Sequence, residues 1–89
     1  MLVFGDLTTL NARRYPNKPA LIMEGSADDI VKPKVTDRFV KQSCRAGAVI
    51  EYVTIKGKGH AGAIAAGASQ AVNWLAARLR GAKARSTCR

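Results

Sequence analysis

Residues 20–29 read Ala20-Leu21-Ile22-Met23-Glu24-Gly25-Ser26-Ala27-Asp28-Asp29, a compact apolar run closed by a polar loop. An apolar run of this length is too short for a buried helix and suits a strand buried on both faces. Residues 48–55 read Ala48-Val49-Ile50-Glu51-Tyr52-Val53-Thr54-Ile55. Their β-branched and aromatic side chains predict a second strand. The segment between the two strands is long enough for a helical crossover, so the strands are expected to run parallel.

Two segments with helical spacing of apolar residues follow these strands. The first runs from Lys34 to Ala46 and is followed by Gly47, which is typical of a helix end. Charged and polar residues lie between its apolar residues, which are Val35, Phe39, Val40 and Cys44. The second covers residues 61–79, and its apolar stripe consists of Ile64, Ala68, Val72, Leu75 and Leu79. Trp74 lies beside this stripe. The predicted fold class is α/β, a small strand-helix-strand-helix unit with a parallel strand pair.

The length of 89 residues allows one small domain or a part of one. Residues 1–18 are predicted to form a leading helix and turn, with the helix ending near Arg14 because two prolines follow. Residues 19–81 form the α/β unit, and residues 82–89 form a basic tail that is expected to be mobile apart from Cys88. Such a small sheet has unpaired edges, which proteins normally cover with further strands or partners.

Composition excludes several classes of function. The apolar runs are far shorter than the roughly 20 residues of a transmembrane helix, so no transmembrane segment is predicted. The N-terminus has no intact secretory signal, so localisation cannot be read from it. One histidine and two cysteines are too few for a zinc site, and no cofactor is predicted. Cys44 and Cys88 form either one disulfide or two reduced thiols.

Acidic and imidazole side chains follow the two predicted strands. Asp28 and Asp29 come after the first strand, and His60 comes after the second. Because the carboxyl ends of parallel strands meet at one edge of a sheet, these side chains are expected to lie within reach of each other. A carboxylate that orients an imidazole is part of a Ser-His-Asp system. The alternatives are a turn or cap role for the aspartates and a structural role for the histidine.

Four stretches of the chain resemble parts of α/β-hydrolases. Residues 25–33, Gly25-Ser26-Ala27-Asp28-Asp29-Ile30-Val31-Lys32-Pro33, resemble the G-x-x-D-x-x-V-x-P loop that carries the acid of the triad. Residues 57–60, Gly57-Lys58-Gly59-His60, resemble the loop that carries its histidine. Residues 73–81 are similar to the last helix of secreted lipases and esterases, and residues 44–52 resemble the Cys-x-x-Gly-x-x-Val/Ile-x-Tyr stretch of the secretory-lipase branch. The resemblance covers residues 19–88 and implies the C-terminal portion of an α/β-hydrolase.

This resemblance implies roles for individual residues. Asp28 would be the triad acid, with Asp29 as the runner-up, and His60 would be the general base. The two strands would be the last two of an eight-stranded sheet, and Cys44 and Cys88 would pair, tying the penultimate helix to the tail. The implied substrate is an ester or a lipid, and the implied location is extracellular.

A nucleophile serine is not evident in the sequence. By the resemblance, the G-x-S-x-G turn would precede residue 1, so the chain is expected to depend on a missing N-terminal hydrolase segment. Residues 67–71, Gly67-Ala68-Ser69-Gln70-Ala71, approach this pattern only in their letters, because they lie within a predicted helix and Ser69 lacks the sharp turn that exposes a nucleophile. The sequence therefore predicts a carboxylic-ester hydrolase of the lipase or esterase type, or a fragment of one.

The alternative is a non-catalytic basic α/β module that acts by oligomerisation or by polyanion binding. The formal net charge of +9 would attract polyanions. The absence of a helix-turn-helix, zinc-finger or RNA-binding signature, and of aromatic residues interleaved with the basic ones, argues against nucleic acid. Residues 10–22 also look like the opening of acyl-CoA synthetases, but the phosphate loop of those enzymes does not appear.

Overall fold

The computed structural model describes residues 2–5 and 19–88. In chain order its elements are β1 (Leu2–Gly5), β2 (Pro19–Gly25), α1 (Pro33–Arg45), β3 (Val49–Ile55) and α2 (His60–Leu79). The strands form one mixed sheet in the order β1-β2-β3, in which β1 is antiparallel to β2, and β2 is parallel to β3. The strand-helix-strand-helix order and the parallel pair are confirmed.

The strand β1 is an element that the sequence reasoning did not predict. Its residues Leu2 and Gly5 lie opposite Met23 and Ala20 of β2, so the short apolar start of the chain covers an edge of β2 that would otherwise be unpaired. The predicted helix ending near Arg14 lies outside the described residues. The division of the chain at residues 18 and 81 stays a prediction.

The central strand β2 carries the core on both of its faces. Residues 20–23 have no exposed surface. Ile22 packs with Val40 of α1 and with Ile50, whereas the neighbouring side chains Leu21 and Met23 pack under α2. The two helices therefore cover opposite faces of the sheet, because successive side chains of a strand point to opposite sides. A strand in this position requires an unbroken apolar run.

The apolar stripe predicted for α2 does not form its buried side, although the apolar stripe of a helix normally packs against the core. Its members include Ile64, Val72 and Leu79, which are 48%, 64% and 90% exposed. The buried side of α2 instead consists of Ala63, Gly67, Ala71 and Trp74. A Cβ atom on Gly67 would lie only 2.7 Å from Cε of Met23, so this close approach of helix and sheet admits only small side chains along most of the contact.

The C-terminal tail is anchored along the outer edge of β3. The backbone N–H of Thr87 donates to the carbonyl oxygen of Ile50 at 2.7 Å, and the Thr87 hydroxyl accepts from the backbone N–H of Tyr52 at 2.9 Å. Cys88 forms a disulfide with Cys44 of α1, which confirms that the two cysteines pair. Closing a loop of this length stabilises the fold by about 4 kcal/mol on the chain-entropy model. The expectation that only Cys88 holds the tail is therefore wrong, because Thr87 is also bound to β3. Thr87 supplies the hydrogen-bond partners that the outer edge of β3 otherwise lacks.

None of the helices in the described part of the chain is long and apolar enough to cross a membrane.

Candidate acid–base site

The loops that follow β2 and β3 meet at one edge of the sheet. The backbone N–H of Ser26 donates to the carbonyl oxygen of Ile55 at 3.0 Å, and that of Ala27 donates to the carbonyl oxygen of Lys58 at 2.9 Å. A Cβ atom on Gly25 would lie 2.2 Å from the Lys58 oxygen, so a glycine is needed where the two loops cross. This contact brings the residues after each strand close together.

Asp28 lies in the first of these loops, and its side chain is 1% exposed. One carboxylate oxygen, Oδ1, accepts hydrogen bonds from the backbone N–H groups of Ile30 at 2.9 Å and Val31 at 3.0 Å. The other oxygen, Oδ2, lies 3.0 Å from Nδ1 of His60. Asp28 therefore holds a turn and contacts the imidazole at the same time.

The hydrogen bonds decide the charge of this carboxyl group. Burial alone would raise the pKa of Asp28, but the N–H of Val31, the imidazole of His60 and the N–H of Ile30 all stabilise the carboxylate. Together they hold the pKa of Asp28 well below its ordinary value of 3.8. The group is therefore ionised at neutral pH and can only accept hydrogen bonds.

His60 is the first residue of α2, and one third of its side chain is exposed. Because the Asp28 carboxylate can only accept, the hydrogen bond at 3.0 Å requires a proton on Nδ1. In the neutral imidazole the lone pair then lies on Nε2, which has no hydrogen-bond partner among residues 2–5 and 19–88. The arrangement can take a proton from a hydroxyl group placed beside Nε2.

The other candidate residues lie away from this contact. Asp29, the runner-up acid, is exposed and forms no hydrogen bond with His60. The Ser26 hydroxyl accepts from the backbone N–H of Gly57 at 2.7 Å. Ser69 is exposed on α2, about 14 Å along the helix axis from His60. No serine in the described ranges forms a hydrogen bond with His60, and no cluster that could hold a metal ion occurs there.

One supporting contact was missed by the sequence reasoning. Glu24, at the end of the apolar run in β2, is 1% exposed and accepts a hydrogen bond at 3.1 Å from the hydroxyl of Thr36 in the first turn of α1. This bond ties together the two ends of the loop that carries Asp28. An acidic residue directly after a fully apolar run was the available signal, since a carboxylate at a buried position needs a donor.

The low pKa of Asp28 makes a prediction about acid stability. A carboxyl group whose pKa is lower in the folded than in the unfolded chain stabilises the fold above the unfolded value, here 3.8, and this stabilisation is lost as the pH falls below it. We expect the free energy of unfolding to decrease as the pH falls through this range. Urea unfolding followed by the fluorescence of Trp74 measures it.

Two variants separate the Asp28 contribution from that of the other carboxylates. The Asp28→Asn variant should be less stable than the wild type at neutral pH, and this difference should shrink as the pH falls below about 4. The matched control Asp29→Asn, at an exposed position in the same loop, should keep the wild-type dependence. A difference between Asp28→Asn and wild type that stays constant down to pH ~2 would contradict the assignment.

Comparison with known protein families identifies a relationship over nearly the whole chain. The model of the family described as Secretory lipase matches residues 3–87 and so includes both loops of the acid–base site. No curated protein and no solved structure matches the chain. Since the family match extends over nearly all of its length, the chain belongs to the secretory lipase family.

Proposed function

We propose that this chain supplies the acid–base pair of a carboxylic-ester hydrolase that acts on lipid esters. The observation that carries the proposal is the 3.0 Å contact between the buried Asp28 carboxylate and Nδ1 of His60, while Nε2 forms no hydrogen bond with the part of the chain that the structure describes. Membership of the secretory lipase family supports hydrolysis as the reaction and a lipid as the substrate. Asp28 orients the imidazole, and His60 moves the proton.

The proposed reaction is acyl transfer in two stages. Nε2 of His60 accepts the proton of a serine hydroxyl while the serine oxygen attacks the carbonyl carbon of the ester. The imidazolium, stabilised by the ionised Asp28, then donates this proton to the departing alcohol, and the acyl group remains on the serine. Water, activated by the same imidazole, attacks the acyl group and releases the fatty acid together with the free serine.

The nucleophile in this proposal is a serine other than the four in this sequence, all of which fall within the described ranges 2–5 and 19–88. Every serine in those ranges lacks a hydrogen bond to His60, and Ser69 also lies in the middle of a helix. The parallel pair β2 and β3, with the acid after one strand and the base after the other, supports a likeness to the last two strands of an α/β-hydrolase sheet. A further strand of that sheet would take the edge of β2 that β1 covers here. The family description also supports secretion as the location of the protein.

Hydrolysis of p-nitrophenyl esters tests the proposal. Two samples are assayed with the butyrate and the palmitate esters: the protein isolated from its natural source, and the purified 89-residue chain. Each assay is repeated after treatment with a serine-directed phosphonate. We expect the source protein to hydrolyse both esters, to be inactivated by one equivalent of phosphonate, and to carry the label on a serine in peptide mass spectra. Absence of hydrolysis in the source protein, or hydrolysis that resists the phosphonate, would contradict the proposal.

A further inference from the structure

The outer side of α1 carries a row of four positive charges. The charges recur at intervals of four, three and four residues, which places them on one side of a helix. We call this row the basic stripe, and it consists of Lys34, Arg38, Lys41 and Arg45. All four are exposed, and the buried residues Thr36, Val40 and Ser43 lie on the opposite side of the helix. The stripe extends for roughly 16 Å along the surface.

The basic stripe shares one surface depression with a single carboxylate, that of Asp37. None of its four side chains forms an ion pair with another residue in the described ranges. The one acidic residue of α1 is Asp37, whose carboxylate accepts a hydrogen bond from the hydroxyl of Tyr52. The formal net charge of +9 adds to the positive potential around the helix. A row of unpaired cations of this kind suits an anionic partner with closely spaced charges.

Two exposed apolar side chains lie near the start of the stripe along the chain. Val35 of α1 is 60% exposed, and Ile30, in the loop that leads to α1, is 71% exposed. At a lipid surface, cations contact the head groups while neighbouring apolar side chains enter the boundary with the acyl chains. A nucleic acid offers no such apolar layer, and the aromatic residue of α1, Phe39, packs against the core instead of facing solvent for base stacking.

We propose that the basic stripe binds the surface of anionic phospholipids, with α1 lying flat on the head groups and Ile30 and Val35 contacting the acyl boundary. This inference does not rest on ester hydrolysis, since none of these side chains belongs to the acid–base pair. It adds a consequence for the site, because the backbone N–H of Ile30 donates to Asp28. The lipid contact and the acid–base pair thus share one loop.

Co-sedimentation of the full chain with large vesicles tests this proposal. One set of vesicles contains equimolar phosphatidylcholine and phosphatidylglycerol, and the other contains phosphatidylcholine alone. The variant Arg38→Gln/Lys41→Gln removes two charges at the centre of the stripe. The control Lys83→Gln/Arg85→Gln removes two charges from exposed positions in the tail, so both variants lose the same net charge. Far-UV circular dichroism checks that each variant is folded.

We expect the wild type to bind the anionic vesicles, to ignore the neutral ones, and to be released as salt rises above about 0.1 M. The stripe variant should bind about 30-fold more weakly, at about fivefold for each neutralised residue, and the tail variant much less so. Equal losses in the two variants would show that net charge alone drives binding and would overturn the proposal. So would the absence of vesicle binding, or tighter binding to a single-stranded DNA oligonucleotide than to the vesicles.

Discussion

Replacement of His60 by alanine is expected to lower kcat for ester hydrolysis about a million-fold, the loss typical of removing the histidine from a serine hydrolase triad. The serine hydroxyl is a poor nucleophile without a base at its proton, and the leaving alcohol needs the same group as an acid. His60 is the single histidine of the chain, so no other imidazole in it can substitute. Steady-state kinetics with p-nitrophenyl butyrate, in the protein as its source produces it, measure the loss.

Two controls distinguish a chemical loss from an unfolded variant. Imidazole added to the His60→Ala variant should restore part of the activity, because the cavity left by the side chain lies beside an intact Asp28 carboxylate. Gln70→Ala, at an exposed position on the same helix, should keep the wild-type kcat. A His60→Ala variant that is folded and retains wild-type activity would rule out the proposed base.

Replacement of Asp28 by asparagine should lower kcat by about four orders of magnitude. The asparagine oxygen can still accept the hydrogen bonds from the N–H groups of Ile30 and Val31, so the turn is preserved. Its NH2 group would then face Nδ1 of His60 and favour the tautomer with the proton on Nε2. In that tautomer, Nε2 cannot accept the proton of the nucleophile.

The matched control for this prediction is Asp29→Asn, which changes the same functional group in the same loop without touching His60. Its kcat should stay within about twofold of the wild type, as expected for an exposed substitution away from the site. Long-range proton–nitrogen NMR correlations of the imidazole give a readout that needs no activity. They should show the proton on Nδ1 in the wild type and in Asp29→Asn, and on Nε2 in Asp28→Asn. The reverse pattern would transfer the role to Asp29.

Much of the fold follows from local patterns in the sequence. The apolar run at residues 20–23 predicts a strand buried on both faces, and the structure covers it with a helix on each side. The strand β1 could not be predicted in this way. Four residues are too few to show a strand pattern of their own, and they pair with β2 across a stretch of chain that lacks the Asn-Gly or Asp-Gly sequence typical of a tight hairpin.

The orientation of α2 shows where periodicity misleads. A pattern based on hydrophobicity selects the side with Ile64 and Val72, because these side chains are larger and more apolar than glycine and alanine. The contact with Met23 instead requires Gly67, since space at the helix–sheet contact is limited. Steric fit between two elements is a property of the assembled fold and cannot be deduced from one segment.

The candidate site was predictable in part. Parallel strands bring the Asp28 and His60 loops to one edge on topological grounds alone. The choice between Asp28 and Asp29 depends on the turn that Ile30 and Val31 close around one carboxylate, and it came from the resemblance to α/β-hydrolases. The supporting bond between Glu24 and Thr36 joins residues twelve positions apart, and no local pattern specifies it.

The crossing of the two loops at Gly25 has a consequence for how this sequence can diverge. The Lys58 carbonyl oxygen leaves no room for any side chain at position 25, so descendants that keep this geometry should retain a glycine there. Ile30 and Val31 support the Asp28 carboxylate through backbone N–H groups, which every residue except proline provides. Evolution within this loop should therefore be uneven: the glycine and the aspartate stay constant, position 31 varies in size and polarity, and position 30 keeps an apolar side chain for the proposed lipid contact.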